Sequence, residues 1–513
     1  MHTNPLHWHE TTHGRWERDI DEPERFYATL ARLFEGTGRT FFAITGYVSI
    51  SLPIDSKFHT ESEQGQLVES AFRQAWAQLR YEHPTLASTV EFDNEKKKCV
   101  KVYHTLATVD DESQWLSSSF KVINNGQTGD QISNADPPVE KYATLFLITP
   151  PAPKGEYTSL RRDIVFRCHH SIIDGIGTLI LLNNLLIHAA SGYTLQDSYH
   201  LDSLNGTETT NLSPSFHVAA NLANPPTQAQ QDRLTEILAF NSDATSLDSN
   251  STVLSLPFRK SPSNPPGPSQ RSLLKLSVAE TSAVLEKCKA LGLTPTHAFH
   301  AGIVLVLRNL QPRNDLARKG RYINYSLLNL RSYCSPPYDS AQHAAAVYHS
   351  ASGKSLVIDV NIPSVSNPKN EGVLRQEFTA VARDIKVFYH SVQSDPNHCA
   401  MVPLYYSSIS PPYPEEVPEV PLPNTAPTVS ISSLGVIDKI MQPQHEQFTV
   451  CGDGIGPWVA SDELGTGIGV YLGTWRGQME ISAGYNDAFR GKEEAGDFLE
   501  EVRRIVFEAL DIK

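Results

Sequence analysis

Two hydrophobic spacings take turns along the chain, and each predicts an element. Residues 39–52 (RTFFAITGYVSISL) are rich in β-branched and aromatic side chains and predict a strand. Leu67, Val68, Ala71, Phe72, Ala75 and Leu79 then recur at helical spacing. This stripe stops near His83-Pro84, because proline disfavours helical backbone in the residue before it. Residues 98–105 and 141–149 read as strands. Asp163 to His169 alternates with period two, and from Gly175 to about Ala190 the spacing is helical again.

Between residues 201 and 270 Ser, Thr, Asn and Pro dominate, with one helix expected around Asp232 to Phe240. The run Ser261-Pro262-Ser263-Asn264-Pro265-Pro266-Gly267-Pro268 cannot be regular structure. Past it, Leu273 to Leu276 predicts a short strand, Ser277 an N-cap, Pro295 to Leu307 a buried helix, and Leu374, Phe378, Val381, Ile385 and Phe388 another. Residues 410–427 hold many prolines and read as a loop. Strands follow at Val429–Ser433 and Gly467–Leu472, then a final helix with Phe498, Leu499, Val502, Ile505 and Val506. Mixed strands and helices thus recur on both sides of a polar crossover. We expect an α/β protein of two halves, residues 1–205 and 271–513, each a mixed sheet flanked by helices, joined by a linker over 206–270.

The length of 513 residues supports that division, since single cores stop growing at roughly 250–300 residues. A formal charge of −14 disfavours broad binding to nucleic acid or anionic membranes, while leaving room for a local basic patch against an anionic co-substrate. Six scattered cysteines, Cys99, Cys168, Cys288, Cys334, Cys399 and Cys451, include no C-x-x-C pair and read as reduced thiols. The N-terminus lacks an apolar signal segment, and the apolar run Leu179–Ile187 is too short to span a bilayer, so a soluble cytoplasmic protein is expected.

The densest chemistry lies at His169-His170-Ser171-Ile172-Ile173-Asp174-Gly175. Ile164, Phe166, Cys168 and His170 share one face of a period-two strand, and Val165, Arg167 and His169 share the other. The two histidines should therefore point apart. Histidine is suited to taking a proton near neutral pH, and Gly175 permits a positive φ or a close backbone approach. An acidic residue at 174 can fold back inside the loop or hold a cationic partner. The residues alone leave other readings open: ordinary core or surface histidines, or metal ligands together with Asp174, although adjacent strand residues diverge.

The segment resembles the HHxxxDG signature of the chloramphenicol-acetyltransferase-like acyltransferases, which include peptide-synthetase condensation domains, plant hydroxyl acyltransferases and fungal acetyltransferases of secondary metabolism. Other stretches resemble the family in the same order. They are Leu79-Arg80-Tyr81-Glu82-His83-Pro84-Thr85-Leu86, Leu291-Gly292-Leu293-Thr294-Pro295-Thr296-His297-Ala298, the strand Asn329-Leu330-Arg331-Ser332-Tyr333, Ser432-Ser433-Leu434-Gly435, and Ile481 to Asn486 with Phe489. The resemblance spans roughly residues 40–510. It departs at Gly452-Asp453-Gly454-Ile455-Gly456, a loose echo of the plant enzymes' DFGWG, and at Ser433, where asparagine is usual. No carrier or adenylation domain is read in these residues, so a peptide-synthetase module is not expected. The freestanding fungal acetyltransferases are the nearest in pattern.

What the resemblance implies is specific. His170 is the general base, Asp174 pairs with Arg331, Gly175 keeps the turn open, and a channel between the halves admits acyl donor and acceptor from opposite faces. The expected activity is acetyl transfer from acetyl-CoA, a co-substrate rather than a resident cofactor, to an alcohol of trichothecene-type sesquiterpenoid character. No metal, nucleic-acid or membrane partner is implied, and a monomer is expected. Ser432 and Ser433 are further channel or oxyanion candidates, although a plain turn or strand role explains them equally. Thr296 and His297 can simply pack at a helix start. Arg259-Lys260 could meet coenzyme A phosphates or be solvated, and Cys168 reads as a small buried residue rather than a nucleophile. Two alternatives are a carrier-bound acyl donor and a non-catalytic binding module on the same fold.

Overall fold

The strand Ile44–Pro53 is the spine of the first half. Its even positions Ile44, Val48, Ile50 and Leu52 enter one hydrophobic core, and Tyr47 enters another on the opposite face. Ser159–Cys168 pairs antiparallel with it, from Ile44 opposite Cys168 to Pro53 opposite Ser159. Directly opposed residues share a face, so Ile164, Phe166 and Cys168 join the first core and Val165 the second. This computed structural model describes residues 4–58, 60–151, 159–257, 265–366, 371–450 and 455–513.

Helices Glu61–Glu82 and Gly175–Leu195 cover the inner face of that sheet, with Phe72, Trp76, Leu179, Leu182 and Leu186 in the shared core. Each such side chain contributes roughly 1.5–3 kcal/mol on burial. Gly175–Leu195 outruns the apolar stretch seen in sequence. Helix Gly175–Ser198 is long and apolar enough to cross a membrane by length and composition, yet 56% of its most apolar window is buried inside the protein.

In the second half Ser269–Lys275, Gln478–Asn486, Ile468–Trp475 and Val429–Val436 lie side by side in one sheet. The last two run parallel, with an irregularity between Ser433 and Gly435, where Gly435 takes φ +71. Helices Pro295–Leu310, Glu371–Gln393 and Lys492–Leu510 supply Phe299, Ile303, Phe378, Ile385, Val502 and Val506 to the core against it. Ser277 and Thr294 each cap a helix with a reciprocal capping box.

The halves are not sequential. Gln444–His445, Phe448–Val450 and Trp458–Ser461 cross from the second half and complete the first sheet, the last two along the free edge of Ile44–Pro53. Within the polar linker, Ser251–Val253 pairs parallel with Arg318–Asn324. The divisions at 205 and 270 are therefore crossed by hydrogen-bonded strands, which local composition could not reveal. Residues 410–427 have no regular structure but reach the first half: Arg32 Nη2 donates to the Glu415 carbonyl at 2.9 Å, Lys97 pairs with Glu415 at 2.7 Å, and Tyr413 stacks on Phe92. Cys451, Gly452-Asp453-Gly454, Arg259-Lys260 and the start of the proline-rich run lie outside the described residues.

Candidate active site

The Ser159–Cys168 strand ends two residues before His170. The chain then turns, with Ile172 N donating to the His169 carbonyl at 3.0 Å, and enters the helix at Gly175. The strand-parity argument thus stops at Cys168, yet the divergence of the histidines survives the turn. His170 lines a cavity of roughly 270 Å³ walled by residues from both halves. His169 lines a separate groove with Arg32, Arg39, Lys141 and Ser171. Two imidazoles facing different spaces cannot share a metal, and Asp174 is committed elsewhere.

Asp174 closes the turn with four hydrogen bonds from three partners. Arg331 Nη1 donates to its Oδ2 at 2.8 Å and its Oδ1 at 2.9 Å. The backbone N–H of Gly177 reaches Oδ1 at 2.7 Å, and that of Tyr348 reaches Oδ2 at 2.8 Å. The carboxylate is at once N-cap of the motif helix, counter-ion of Arg331 and anchor for the chain at 348. Burial pushes its pKa up, but Arg331 and the amides outweigh burial and hold it below the usual carboxylate range. Arg331 opens a short 3₁₀ turn, Arg331–Tyr333, after the strand Leu327–Asn329, rather than lying in a strand.

Gly175 has neither a positive φ nor a close backbone neighbour. A Cβ there would touch Val459 Cγ1 at 3.7 Å and Leu434 Cδ2 at 3.9 Å, so the glycine leaves cavity space at the helix start. The close approach belongs to Gly177, where a Cβ would sit 2.2 Å from the Ala344 carbonyl oxygen and 2.7 Å from Arg331 Nη2.

Tyr27, from helix Glu22–Phe34, stacks face to face on the His170 ring, 3.7 Å between centroids and 7° between planes. Its hydroxyl is hydrogen-bonded to His349 Nε2 at 2.9 Å, and the His349 ring lies 5.2 Å from that of His170. The His170 Nδ1 is sealed from solvent and has no hydrogen-bond partner among the described residues. Burial, reinforced by His349, pushes the His170 pKa down to about 3. The ring is accordingly neutral at physiological pH, so one of its two nitrogens carries a lone pair that can take a proton. Cys168 is buried and its thiol pushed up to about 12, which suppresses a thiolate.

Ser432 and Ser433 line the same cavity, beside the sheet irregularity, and Thr296 Oγ1 donates to Ser433 Oγ at 2.9 Å. His297 sits in the capping box of its helix. Tyr27, His349, Gly177 and Glu463, another cavity residue, were not singled out from sequence. They come from separate segments and carry no local spacing signal.

No family model matches the chain. Over 512 residues it is 22% identical to the O-acetyltransferase pigM of Monascus ruber, covering 99% of this chain and 88% of that protein. The solved structure of TRI3 trichothecene 15-O-acetyltransferase from Fusarium sporotrichioides superposes with a TM-score of 0.77, covering 99% of both chains at 17% identity. The chain has the chloramphenicol-acetyltransferase-like acyltransferase fold. Within that fold, the first condensation domain of the CDA synthetase is more distant, with a TM-score of 0.55 at 13% identity, covering 99% of this chain and 97% of that one.

Proposed function

We propose that the protein is an O-acyltransferase that moves an acetyl or other short acyl group from coenzyme A to a hydroxyl of an apolar secondary metabolite. The observation that carries this reading is the neutral His170 ring, held by Tyr27 at the wall of a cavity that both halves enclose. The pigM and TRI3 names support acetyl transfer, and the TRI3 likeness extends the reading to a trichothecene-type alcohol. The lining of Phe26, Tyr27, Phe42, Tyr325, Tyr405 and Tyr406 suits a largely apolar acceptor. Buried free thiols at Cys99, Cys168, Cys288, Cys334 and Cys399 fit a reducing, cytoplasmic setting. One chain supplies both walls, so a single copy suffices.

In the proposed reaction His170 Nε2 takes the acceptor's hydroxyl proton as the oxygen bonds to the thioester carbonyl carbon. The tetrahedral oxyanion can accept a hydrogen bond from Ser432 or Ser433. It collapses with cleavage of the C–S bond, and the departing thiolate recovers the proton from His170. The imidazolium formed in between is favoured by the Asp174 carboxylate. The test is mass spectrometry of products from acetyl-CoA and a panel of terpenoid and aromatic alcohols. Wild type should form acetyl esters, and His170→Ala should lose roughly 10²–10⁴-fold in rate while staying folded. Wild-type turnover in that variant would refute the base assignment. A carrier-bound donor is the second reading, favoured by the condensation-domain likeness. Ester formation from acyl-carrier protein but not from acetyl-CoA would select it.

A further inference from the structure

The charge-bearing side chains on the cavity wall are few. Among the described lining residues they are His170, His349, Asp174 and Glu463. The two imidazoles are held neutral by burial, and Asp174 is matched by Arg331. Glu463 is different. It makes no salt bridge among the described residues, and its side chain accepts one hydrogen bond, from Gly465 N to Oε1 at 2.6 Å. Its other oxygen has no protein partner there.

The backbone that carries Glu463 is pinned to both halves. Its N–H donates to Ser269 Oγ at 3.0 Å, and its carbonyl accepts from Asn486 Nδ2 at 3.0 Å. The preceding Asp462 exchanges backbone hydrogen bonds with Phe42 and Ala43, and its carboxylate pairs with Arg167 at 2.8 Å. The carboxyl is thus presented by a turn that cannot easily retreat, among Ser430, Ser461, Tyr325 and Tyr471, polar residues that also line the cavity. Glu463 is half-buried, and a carboxyl oxygen that no protein donor meets keeps acceptor capacity for a bound donor. A rigid acceptor aimed into an otherwise aromatic cavity is the arrangement that selects a ligand bearing a donor.

We propose that Glu463 reads the acceptor, accepting a hydrogen bond from a second hydroxyl of a polyhydroxylated apolar alcohol whose first hydroxyl meets His170. This assignment deepens the acyltransfer reading and rests on it for the orientation of the alcohol. Burial pushes the Glu463 carboxyl up to about 7, against the Gly465 amide and the Arg490 charge. Above that value the group is a strong acceptor.

The test is calorimetric binding at pH 8 of matched probes that differ by one hydroxyl. Suitable pairs are 1,4-benzenedimethanol with 4-methylbenzyl alcohol, 2,6-naphthalenedimethanol with its monomethyl analogue, and 4,4′-biphenyldimethanol with its monomethyl analogue. Wild type should bind the diol of at least one spacing about 10- to 100-fold more tightly than its partner. Glu463→Gln, which keeps the shape, should lose most of that preference. If every pair binds wild type with no more than the statistical preference of about two, the proposal is overturned, whether or not the variant folds. Retention of the full preference in folded Glu463→Gln overturns it too. Acetyl-ester formation from the same probes, read separately by mass spectrometry, judges the acyltransfer reading, so the two can fail independently.

Discussion

At the scale of single residues, the Asp174 carboxylate and the Tyr27 ring divide the work around His170. Asp174 answers a buried guanidinium, so Asp174→Asn keeps the cap but leaves Arg331 without its counter-charge. That variant should lose about 3–5 kcal/mol of stability in urea unfolding, and a loss below ~1 kcal/mol would show that the pair is incidental. Tyr27→Phe keeps the ring face against His170 and removes the hydrogen bond to His349. Its kcat should fall by up to about tenfold, with KM for the thioester little changed, whereas Tyr27→Ala should fall much further. Equal rates for the two variants would assign the effect to the hydroxyl alone.

At the scale of elements, the motif helix is set by how closely it enters the fold. Gly177→Ala would drive a methyl group into the Ala344 carbonyl at 2.2 Å and force the helix start away from the chain beneath it. We expect a loss of about 1–3 kcal/mol in urea unfolding and reduced turnover, because His170 rides on the same turn. A fully stable, fully active Gly177→Ala would mean that the helix start is not held where it is described. The same contrast shows what sequence could and could not reveal. Strands with period two, such as Asp163 to His169, and stripes such as Leu67 to Leu79 were legible because one buried face imposes its rhythm on neighbouring residues. His170 and Asp174 were legible because five consecutive residues hold them. Gly177 was hidden because its neighbour, Ala344, is 167 positions away, while Gly175, legible in the motif, leaves cavity space rather than a positive φ or a close backbone approach. Arg331 was legible only through the family resemblance, which also placed it in a strand where the chain instead makes a 3₁₀ turn.

For the molecule as a whole, buried neutral histidines set the acid behaviour. Burial pushes His170 and His300 down to about 3, and His83 and His343 down to about 4. His169, His297, His349, His398 and His445 shift the same way. Below the unfolded value near 6.5 the unfolded chain takes up protons that the folded chain refuses, so stability falls as pH falls from about 6.5 toward 4. Asp21, Asp462 and Glu463, raised to about 7, and His217, raised beside Glu22, work in the opposite sense, but they are fewer. The unfolding free energy from urea titrations should drop between pH 6.5 and pH 5 by about 1.4 kcal/mol per pH unit for each net proton, and the midpoint with it. A midpoint that is flat or rises toward pH 5 would contradict this balance.

The strands that cross from the far end of the chain carry one more consequence. A polypeptide stopped at residue 270 would leave Ile44–Pro53 with an open border where Phe448–Val450 and Trp458–Ser461 belong. Such a truncated piece would tend to stick to its own kind until the missing portion arrived. During synthesis on the ribosome the first sheet therefore waits, unfinished, until Trp458–Ser461 has emerged, and only then does the chamber around His170 close.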